Sequence, residues 1–167
     1  MSTPSNLKDL YTDELKDLWS ANDQMLRFLK NVEGKATDES LKEMLANSQE
    51  GIAKHTELLK ELLTSNGEEV AKEHCKGMAG LTAEAIKHTM EEAPDEGAVL
   101  DAVIIAQFQR MTHYGIAGFG TAAAYAQALG QEDDYQLLKG AVEDMYGGDE
   151  YMTKLAETTV NIKAGDE

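Results

Sequence analysis

Apolar residues recur at steps of three or four positions along nearly the whole chain, and no stretch alternates apolar and polar residues as a half-buried strand does. The first apolar stripe covers about residues 6–32, and the second covers about 37–66. The third covers about 98–129, and the fourth covers about 133–163. The pattern therefore predicts four long amphipathic helices and an all-α fold.

Turn and capping residues delimit these helices. Gly34 ends the first stripe, Asp38 is suited to cap the start of the second, and Gly67 closes it. Residues 67–80 predict an irregular, helix-rich connection, followed by a short helix over about 81–91 that ends before a proline. One long connection thus separates the second long helix from the third.

Glycines interrupt two of the long helices. Gly115, Gly118 and Gly120 lie inside the third, and each costs roughly 1 kcal/mol of helix stability relative to alanine. They predict either close approach by a neighbouring helix or the loss of bulkier side chains. Gly147 and Gly148 predict a kink in the fourth helix.

Four long helices with one long connection predict a four-helix bundle with a crossover, as in ferritin-like folds. No internal repeat, low-complexity tract or linker divides the sequence. Residues 1–167 are therefore predicted to form a single ferritin-like domain, with the last few residues disordered.

The composition adds a strongly acidic charge to this picture. With 15 basic and 31 acidic residues, the formal net charge is −16. A negative field repels phosphate backbones and anionic lipid surfaces, which argues against nucleic-acid and membrane binding. The single cysteine excludes an internal disulfide, and no apolar run approaches the ~20 residues of a membrane span. These features predict a cytoplasmic protein.

Four segments resemble the YciF/YciE family of bacterial ferritin-like proteins and occur in the family's order. They are NLKDLYTDELKDLWSANDQMLRFL at 6–29, CKGMAGLTAEA at 75–85, DAVIIAQFQRMTHYGIAGFGT at 101–121 and MTKLAETTVN at 152–161. The resemblance implies a bundle that is usually a homodimer, is linked to bacterial stress responses and has no settled biochemical activity. The wider ferritin-like group holds two metal ions between its helices, on inward-facing carboxylates and histidines.

The resemblance places several expected ligand positions on residues that cannot be charged ligands. In the first helix, the family's glutamate falls at Asn22. In the second, the family's H-L-E-E-T-x-x-H region aligns with residues 48–55. There Glu50 remains, the second glutamate becomes Gly51, and Ala53 stands where an E-x-x-H pair would need histidine.

The last two long helices show the same loss. The family's V-E-H-Y-E region keeps neither glutamate, because Thr112 and Gly115 replace them. In the fourth helix, an expected run of acids is represented by Gly140, Glu143 and Asp144, of which the two acids can still face inward.

These losses suggest a bundle that has shed its di-metal site and holds no cofactor. Unpaired buried charges cost several kcal/mol each, so a bundle without metal is expected to lose its inward carboxylates. The removed volume leaves a central cavity unless His55, Met111, Met145 or Tyr146 fill it.

A residual metal site is the main alternative. Its candidate ligands are Glu50, His55, His113, Glu143 and Asp144, and its metal would be iron or manganese. Such a protein would be an oxidase or a peroxide scavenger. A further alternative is a small-molecule binder that uses the central cavity.

Other notable residues have structural interpretations. Cys75 follows His74, but without a second cysteine it is interpreted as a buried structural residue. The methionines occur at helical spacing and are interpreted as core filler. Exposed aromatics such as Tyr11, Trp19 or Phe28 are candidates for the homodimer surface. The preferred function is a non-catalytic structural or interaction role with an unknown protein partner.

Overall fold

The computed structural model describes residues 3–70 and 74–166, so residues 71–73 of the predicted connection lie outside the described residues. The described residues form helices and turns without a strand, which confirms the predicted all-α class. The helices are α1 (Leu7–Val32), α2 (Glu39–Ser65), α3 (Lys76–Ile86), α4 (Ala98–Ala128), α5 (Glu132–Leu155) and α6 (Asn161–Asp166). The four long predicted helices correspond to α1, α2, α4 and α5. No helix of the described residues is long and apolar enough to cross a membrane.

Side-chain caps start α1 and α2 close to the predicted positions. Asn6 Oδ1 accepts a hydrogen bond from the backbone N–H of Asp9 at 2.9 Å. Asp38 Oδ1 accepts from the backbone N–H groups of Ser40 and Leu41. Each cap satisfies donors that a helix start would otherwise leave unpaired.

A buried carboxylate on α4 holds the turn that leads into α2. Asp101 is 2% exposed and accepts hydrogen bonds from the backbone N–H groups of Thr37 and Asp38 at 2.8 and 2.9 Å. The hydroxyl of Thr37 donates a third bond, at 2.6 Å. These bonds tie the start of α2 to α4 and so help to set the relative position of the two helices.

The short helix begins earlier than the sequence predicts. It starts at Lys76 rather than near Leu81, because the sulfur of Cys75 accepts a hydrogen bond from the backbone N–H of Met78 and caps the helix. Cysteine is not among the preferred capping residues, so this boundary has no ordinary sequence signal. After Ile86 the chain continues as a π-helical turn to Glu91.

The helix α5 continues through Gly147 and Gly148, where the sequence predicts a kink, to Leu155. A Cβ atom at Gly148 would lie 3.1 Å from Met44 Cε, so this glycine allows close packing of α2 against α5. A π-helical turn follows at Ala156–Val160, and α6 extends to Asp166, where disorder was expected.

Two of the three glycines in α4 lie where a neighbouring helix approaches closely, which is one of the two explanations expected from the sequence. A Cβ atom at Gly118 would lie 2.5 Å from Leu18 Cδ2, so α1 approaches α4 closely there. A Cβ atom at Gly115 would lie 2.9 Å from Met145 Sδ, on α5. Gly120 has nothing within 4 Å of an added Cβ.

The hydrophobic core is divided into two clusters along the bundle. One cluster includes Leu29 and Leu41, and the other includes Leu15, Leu59 and Phe119. On each of the four long helices, residues near the boundary between the two clusters line a common space. This space is the site described below.

Two of the aromatic residues expected at the surface lie in the core instead. Tyr11 and Phe28 are 0% and 2% exposed, so they are unavailable as dimer contacts. Tyr11 tolerates burial because its hydroxyl donates a hydrogen bond to Asp134 Oδ2 at 2.9 Å. Trp19 is partly exposed.

Candidate functional site

A central cavity of about 320 Å³ lies between the two core clusters. Four of the positions matched to lost ligands line it, and they come from three helices: Asn22 on α1, Gly51 on α2, and Thr112 and Gly115 on α4. Met145 and Gly148 on α5 and Met78 on α3 complete its wall. The positions that the family resemblance matched to metal ligands thus surround one space.

The cavity wall is rich in methionine. Five of the chain's eight methionines line it. They are Met25, Met44, Met78, Met111 and Met145. Phe108 and Ile52 add further apolar surface. The wall is therefore apolar and adaptable, because methionine side chains are flexible and polarizable.

Two polar side chains of the wall are buried. Asn22 is 8% exposed and Thr112 is 5% exposed. The Asn22 Nδ2 atom is buried and has no hydrogen-bond partner among the described residues. Such an orphaned donor costs roughly 1–3 kcal/mol, and it is the main polar feature of the cavity.

The mouth of the cavity lies between α2 and α5. Its exposed lining residues are Asn47 and Lys54 on α2 and Asp144 on α5. His55 Nε2 lies 3.2 Å from Asp144 Oδ2, and this contact bridges the two helices. The His55 ring is 13% exposed and packs against Phe119 at a centroid distance of 5.7 Å.

The remaining candidate ligands lie outside the cavity. Glu50 and Glu143 are exposed, as are Ala53 and Gly140 at two positions matched to lost ligands. His113 is also exposed at the surface, and its Nε2 lies 3.0 Å from Asp149 Oδ2 on α5. Of the five residual candidates, the structure brings only His55 and Asp144 to the cavity.

The cavity does not have the donor set of a paired-metal centre. In ferritin-like di-metal bundles, a glutamate from each of two helices and a Glu-x-x-His pair from each of the other two converge on the metals. Here the wall offers one histidine and one exposed aspartate, at the mouth. Across the described ranges, no three His, Cys, Asp or Glu side chains are grouped to hold a metal ion.

A second polar cluster lies where α1, α3 and α4 meet. The Tyr114 hydroxyl donates a hydrogen bond to Asp17 Oδ2 at 2.8 Å. The Cys75 sulfur lies 3.1 Å from the same oxygen and 3.0 Å from the hydroxyl. Cys75 is 1% exposed, in line with the structural interpretation of this residue.

Burial keeps the thiol and the phenol of this cluster protonated. Burial raises the pKa of Cys75 and that of Tyr114. The hydrogen bond between the thiol and the hydroxyl further raises the pKa of Tyr114 and acts in the opposite direction, toward a lower pKa, on Cys75. Burial, followed by the charge of nearby Asp17, also raises the pKa of Glu14. A buried neutral thiol is a poor nucleophile, so the cluster fits a structural role.

Sequence reasoning named Met111 and Met145 as possible fillers of the cavity but missed Met25, Met44 and Met78. Met25 lies three residues after Asn22 and Met111 lies four residues before Gly115, so each is one turn from a matched ligand position on the same helix face. Met44 lies two turns before Gly51. Mapping the methionines onto these helix faces would have found this part of the lining. The separation of the core into two clusters had no comparable signal.

Comparisons with known proteins cover nearly the whole chain. The family described as a domain of unknown function, DUF892, matches residues 6–165. Protein YciF of Escherichia coli (strain K12) is 30% identical over 159 residues, which are 95% of this chain and 95% of that protein.

Two solved structures have the same fold. The E. coli stress protein YciF matches with a TM-score of 0.87 and 29% identity, covering 95% of this chain and 99% of that chain. YcfI from Rhodopseudomonas palustris matches with a TM-score of 0.84 and 28% identity, covering 92% of this chain and 97% of that chain. The likeness therefore extends through all four long helices.

Proposed function

The chain belongs to the DUF892 family, as its resemblance to the YciF/YciE proteins predicts, and from that premise we propose that it is a stress-associated, non-catalytic member. In this proposal a cavity has replaced the ancestral di-metal site, and the protein acts through its structure or through interaction with another protein. The E. coli relative YciF is a stress protein, which supports the stress association in this proposal.

The donor set of the cavity wall carries the proposal. Asn22, Gly51, Thr112 and Gly115 are all uncharged, and they come from three of the helices that would have to supply carboxylates. Iron and manganese prefer carboxylate and imidazole ligands, and binding two such ions requires several negative charges to offset theirs. A single histidine and a single exposed aspartate do not meet that need.

The energetics of the folded protein favour the same conclusion. Inward carboxylates without metal would repel one another and lose hydration, at a cost of several kcal/mol for each unpaired charge. Replacing them by glycine, threonine and asparagine removes that cost. The remaining acidic candidates, Glu50 and Glu143, are exposed to solvent and carry no such penalty.

Metal content tests the proposal directly. Purified protein is dialysed separately against iron, manganese and zinc and is then measured by mass spectrometry. We expect less than about a tenth of an equivalent of each metal. About two equivalents of iron or manganese would overturn the proposal, and a single equivalent lost in His55→Ala would establish the residual site instead.

A restored variant provides the matched positive control. Asn22→Glu, Gly51→Glu, Thr112→Glu and Gly115→Glu together return carboxylates to the positions where the family resemblance expects them. We expect this variant to bind more iron or manganese than the natural chain in the same dialysis. Circular dichroism reports whether the variant remains helical, and equal metal content in two folded proteins would argue against the assignment of these positions.

The oligomeric state is part of the proposal. The family resemblance implies a cytoplasmic homodimer. Light scattering coupled to size exclusion is expected to give twice the mass of one chain. A monomer at all concentrations would remove the dimer from the proposal without affecting the argument about metal.

A further inference from the structure

We propose that the central cavity binds a small, neutral, planar aromatic molecule that accepts a hydrogen bond from Asn22. The inference rests on the proposed function, because two metal ions with their ligands would occupy the same space. It goes further by assigning the cavity a ligand class of its own. Four features support it: volume, lining, the orphaned amide and the distribution of charge.

The volume suits a ligand of one or two rings. The cavity measures about 320 Å³. An engineered apolar cavity of about 150 Å³ binds benzene, so this one has room for roughly 12 non-hydrogen atoms. Natural ligand pockets begin at about 300 Å³. A larger molecule would extend through the mouth between α2 and α5.

The lining favours an aromatic ligand. Methionine sulfur makes favourable contacts with aromatic rings, and the flexible side chain adapts to different shapes. Met25, Met78 and Met111 line the cavity and are 5%, 1% and 0% exposed, so they form part of its packed inner wall and do not face the solvent. Phe108, which is 3% exposed, adds an aromatic surface against which a flat ring can pack.

The orphaned amide calls for a hydrogen-bond acceptor on the ligand. Asn22 lines the cavity, is 8% exposed and has an Nδ2 atom without a partner among the described residues. The Nδ2 atom itself is enclosed by the protein. A half-turn of the amide about its last bond exchanges nitrogen and oxygen and turns the N–H groups toward the cavity, where a ligand acceptor can bind them.

The charge distribution favours a neutral ligand. The charged or titratable residues of the wall are Lys54, His55 and Asp144, and all three lie at the mouth between α2 and α5. The interior offers no charge to balance an ion, whose transfer from water would be costly. An anion would also face the repulsion of a chain with a net charge of −16.

Quinoline and naphthalene form a matched pair of probes. They have nearly the same shape, but only quinoline carries a ring nitrogen that accepts a hydrogen bond. Calorimetric titration at neutral pH, where quinoline is uncharged, measures both affinities. One hydrogen bond is expected to make quinoline bind roughly threefold to tenfold more tightly than naphthalene.

Methionine methyl signals locate the binding site. In protein labelled at the methionine methyl groups, quinoline is expected to shift the NMR signals of the five cavity methionines. Met90 and Met152 do not line the cavity, so their signals serve as internal controls. Shifts confined to Met90 and Met152 would place the ligand elsewhere and overturn the inference.

Two variants test the residues. Gly51→Leu fills the cavity from α2, where an added Cβ has nothing within 4 Å, and is expected to abolish binding of both probes. Gly140→Leu is its control, because Gly140 is also a helical glycine with open space around it but lies outside the cavity. Asn22→Leu replaces the amide by an apolar side chain of similar size and is expected to remove the preference for quinoline over naphthalene.

The outcomes separate this inference from the proposed function. Metal-free protein that binds neither probe refutes the inference and leaves the proposed function standing. Protein that holds two metal ions and binds neither probe refutes both. If quinoline and naphthalene bind with equal affinity, and Asn22→Leu leaves both affinities unchanged, the role of the amide is refuted. If neither probe shifts any methionine signal, the inference is refuted and a water-filled cavity is indicated.

Discussion

Filling the central cavity from Gly51 is expected to stabilise the protein even without a ligand. The perturbation is Gly51→Leu, compared with Gly140→Leu under the same conditions. Both glycines lie inside helices, and both have nothing within 4 Å of an added Cβ. Only Gly51 lines the cavity, whereas Gly140 is exposed to solvent. The difference between the two variants therefore isolates burial in the cavity.

The expected magnitudes follow from two contributions. Replacing a helical glycine by leucine contributes about 0.8 kcal/mol of helix propensity at either position. Burying the leucine side chain in the cavity contributes about 1.5–3 kcal/mol more, at Gly51 alone. Gly51→Leu is thus expected to raise the free energy of unfolding by about 2.3–3.8 kcal/mol, and Gly140→Leu by about 0.8 kcal/mol.

Urea denaturation followed by circular dichroism measures both values, and thermal melting provides a second estimate. For a domain of this size, about 1 kcal/mol corresponds to roughly 2–4 °C in the midpoint of melting. Gly51→Ala adds only a methyl group and serves as a control for steric strain that leucine could cause in the cavity. Equal stabilisation by Gly51→Leu and Gly140→Leu, or destabilisation by both Gly51→Ala and Gly51→Leu, would refute the assignment of open interior space at Gly51.

Three further predictions concern the polar groups of the fold. Asp101→Ala is expected to lower the free energy of unfolding by about 2–3 kcal/mol, because Thr37 and Asp38 lose the carboxylate that accepts their hydrogen bonds. A change below about 0.5 kcal/mol in urea denaturation would contradict the proposed role of Asp101 in holding the start of α2. The raised pKa of Glu14, caused first by burial and then by Asp17, means that the folded state binds more protons than the unfolded state, so its stability falls as the pH rises through the folded pKa. Glu14→Gln cannot ionise and so does not lose stability in this way. The difference in unfolding free energy between this variant and the natural chain is expected to favour the variant more at neutral pH than below the ordinary pKa of 4.5. A larger advantage of the variant at low pH than at neutral pH would contradict the raised pKa of Glu14. Tyr114→Phe is expected to cost about 1–2 kcal/mol, since Asp17 loses a hydrogen bond of 2.8 Å, and an unchanged denaturation midpoint would show that water replaces that bond fully.

The long helices were predictable because their apolar spacing and caps act locally. Asn6 and Asp38 stand where a capping side chain meets the start of an apolar stripe, and the structure uses both. The π-helical turns at 87–91 and 156–160 were not predictable. They insert one residue into the hydrogen-bond pattern without any residue type that marks the change.

Glycine illustrates why local reasoning fails within a helix. The same residue provides close approach at Gly118, allows tight packing of Met44 at Gly148, and faces open space at Gly51. Which role applies depends on what the neighbouring helix presents at that height. That information is tertiary, so the sequence alone does not assign these roles.

The candidate site was predictable only where a family resemblance supplied the register. Asn22 and Thr112 were placed facing the interior from that match, and both are buried in the cavity wall. His113 was also expected near the interior, but its helix face turns it toward Asp149 at the surface. The cavity itself depends on how four helices meet, and no single stripe of the sequence encodes that volume.

The single cysteine gives the protein a built-in reporter of its own local opening. Cys75 is enclosed between α1, α3 and α4, where its sulfur caps α3, so a thiol reagent can reach it only when this junction separates. The rate of labelling at fixed pH therefore measures how often the junction opens. A labelling rate faster than global unfolding indicates that the connection detaches by itself. A labelling rate equal to that of global unfolding indicates that the junction opens only when the whole bundle unfolds.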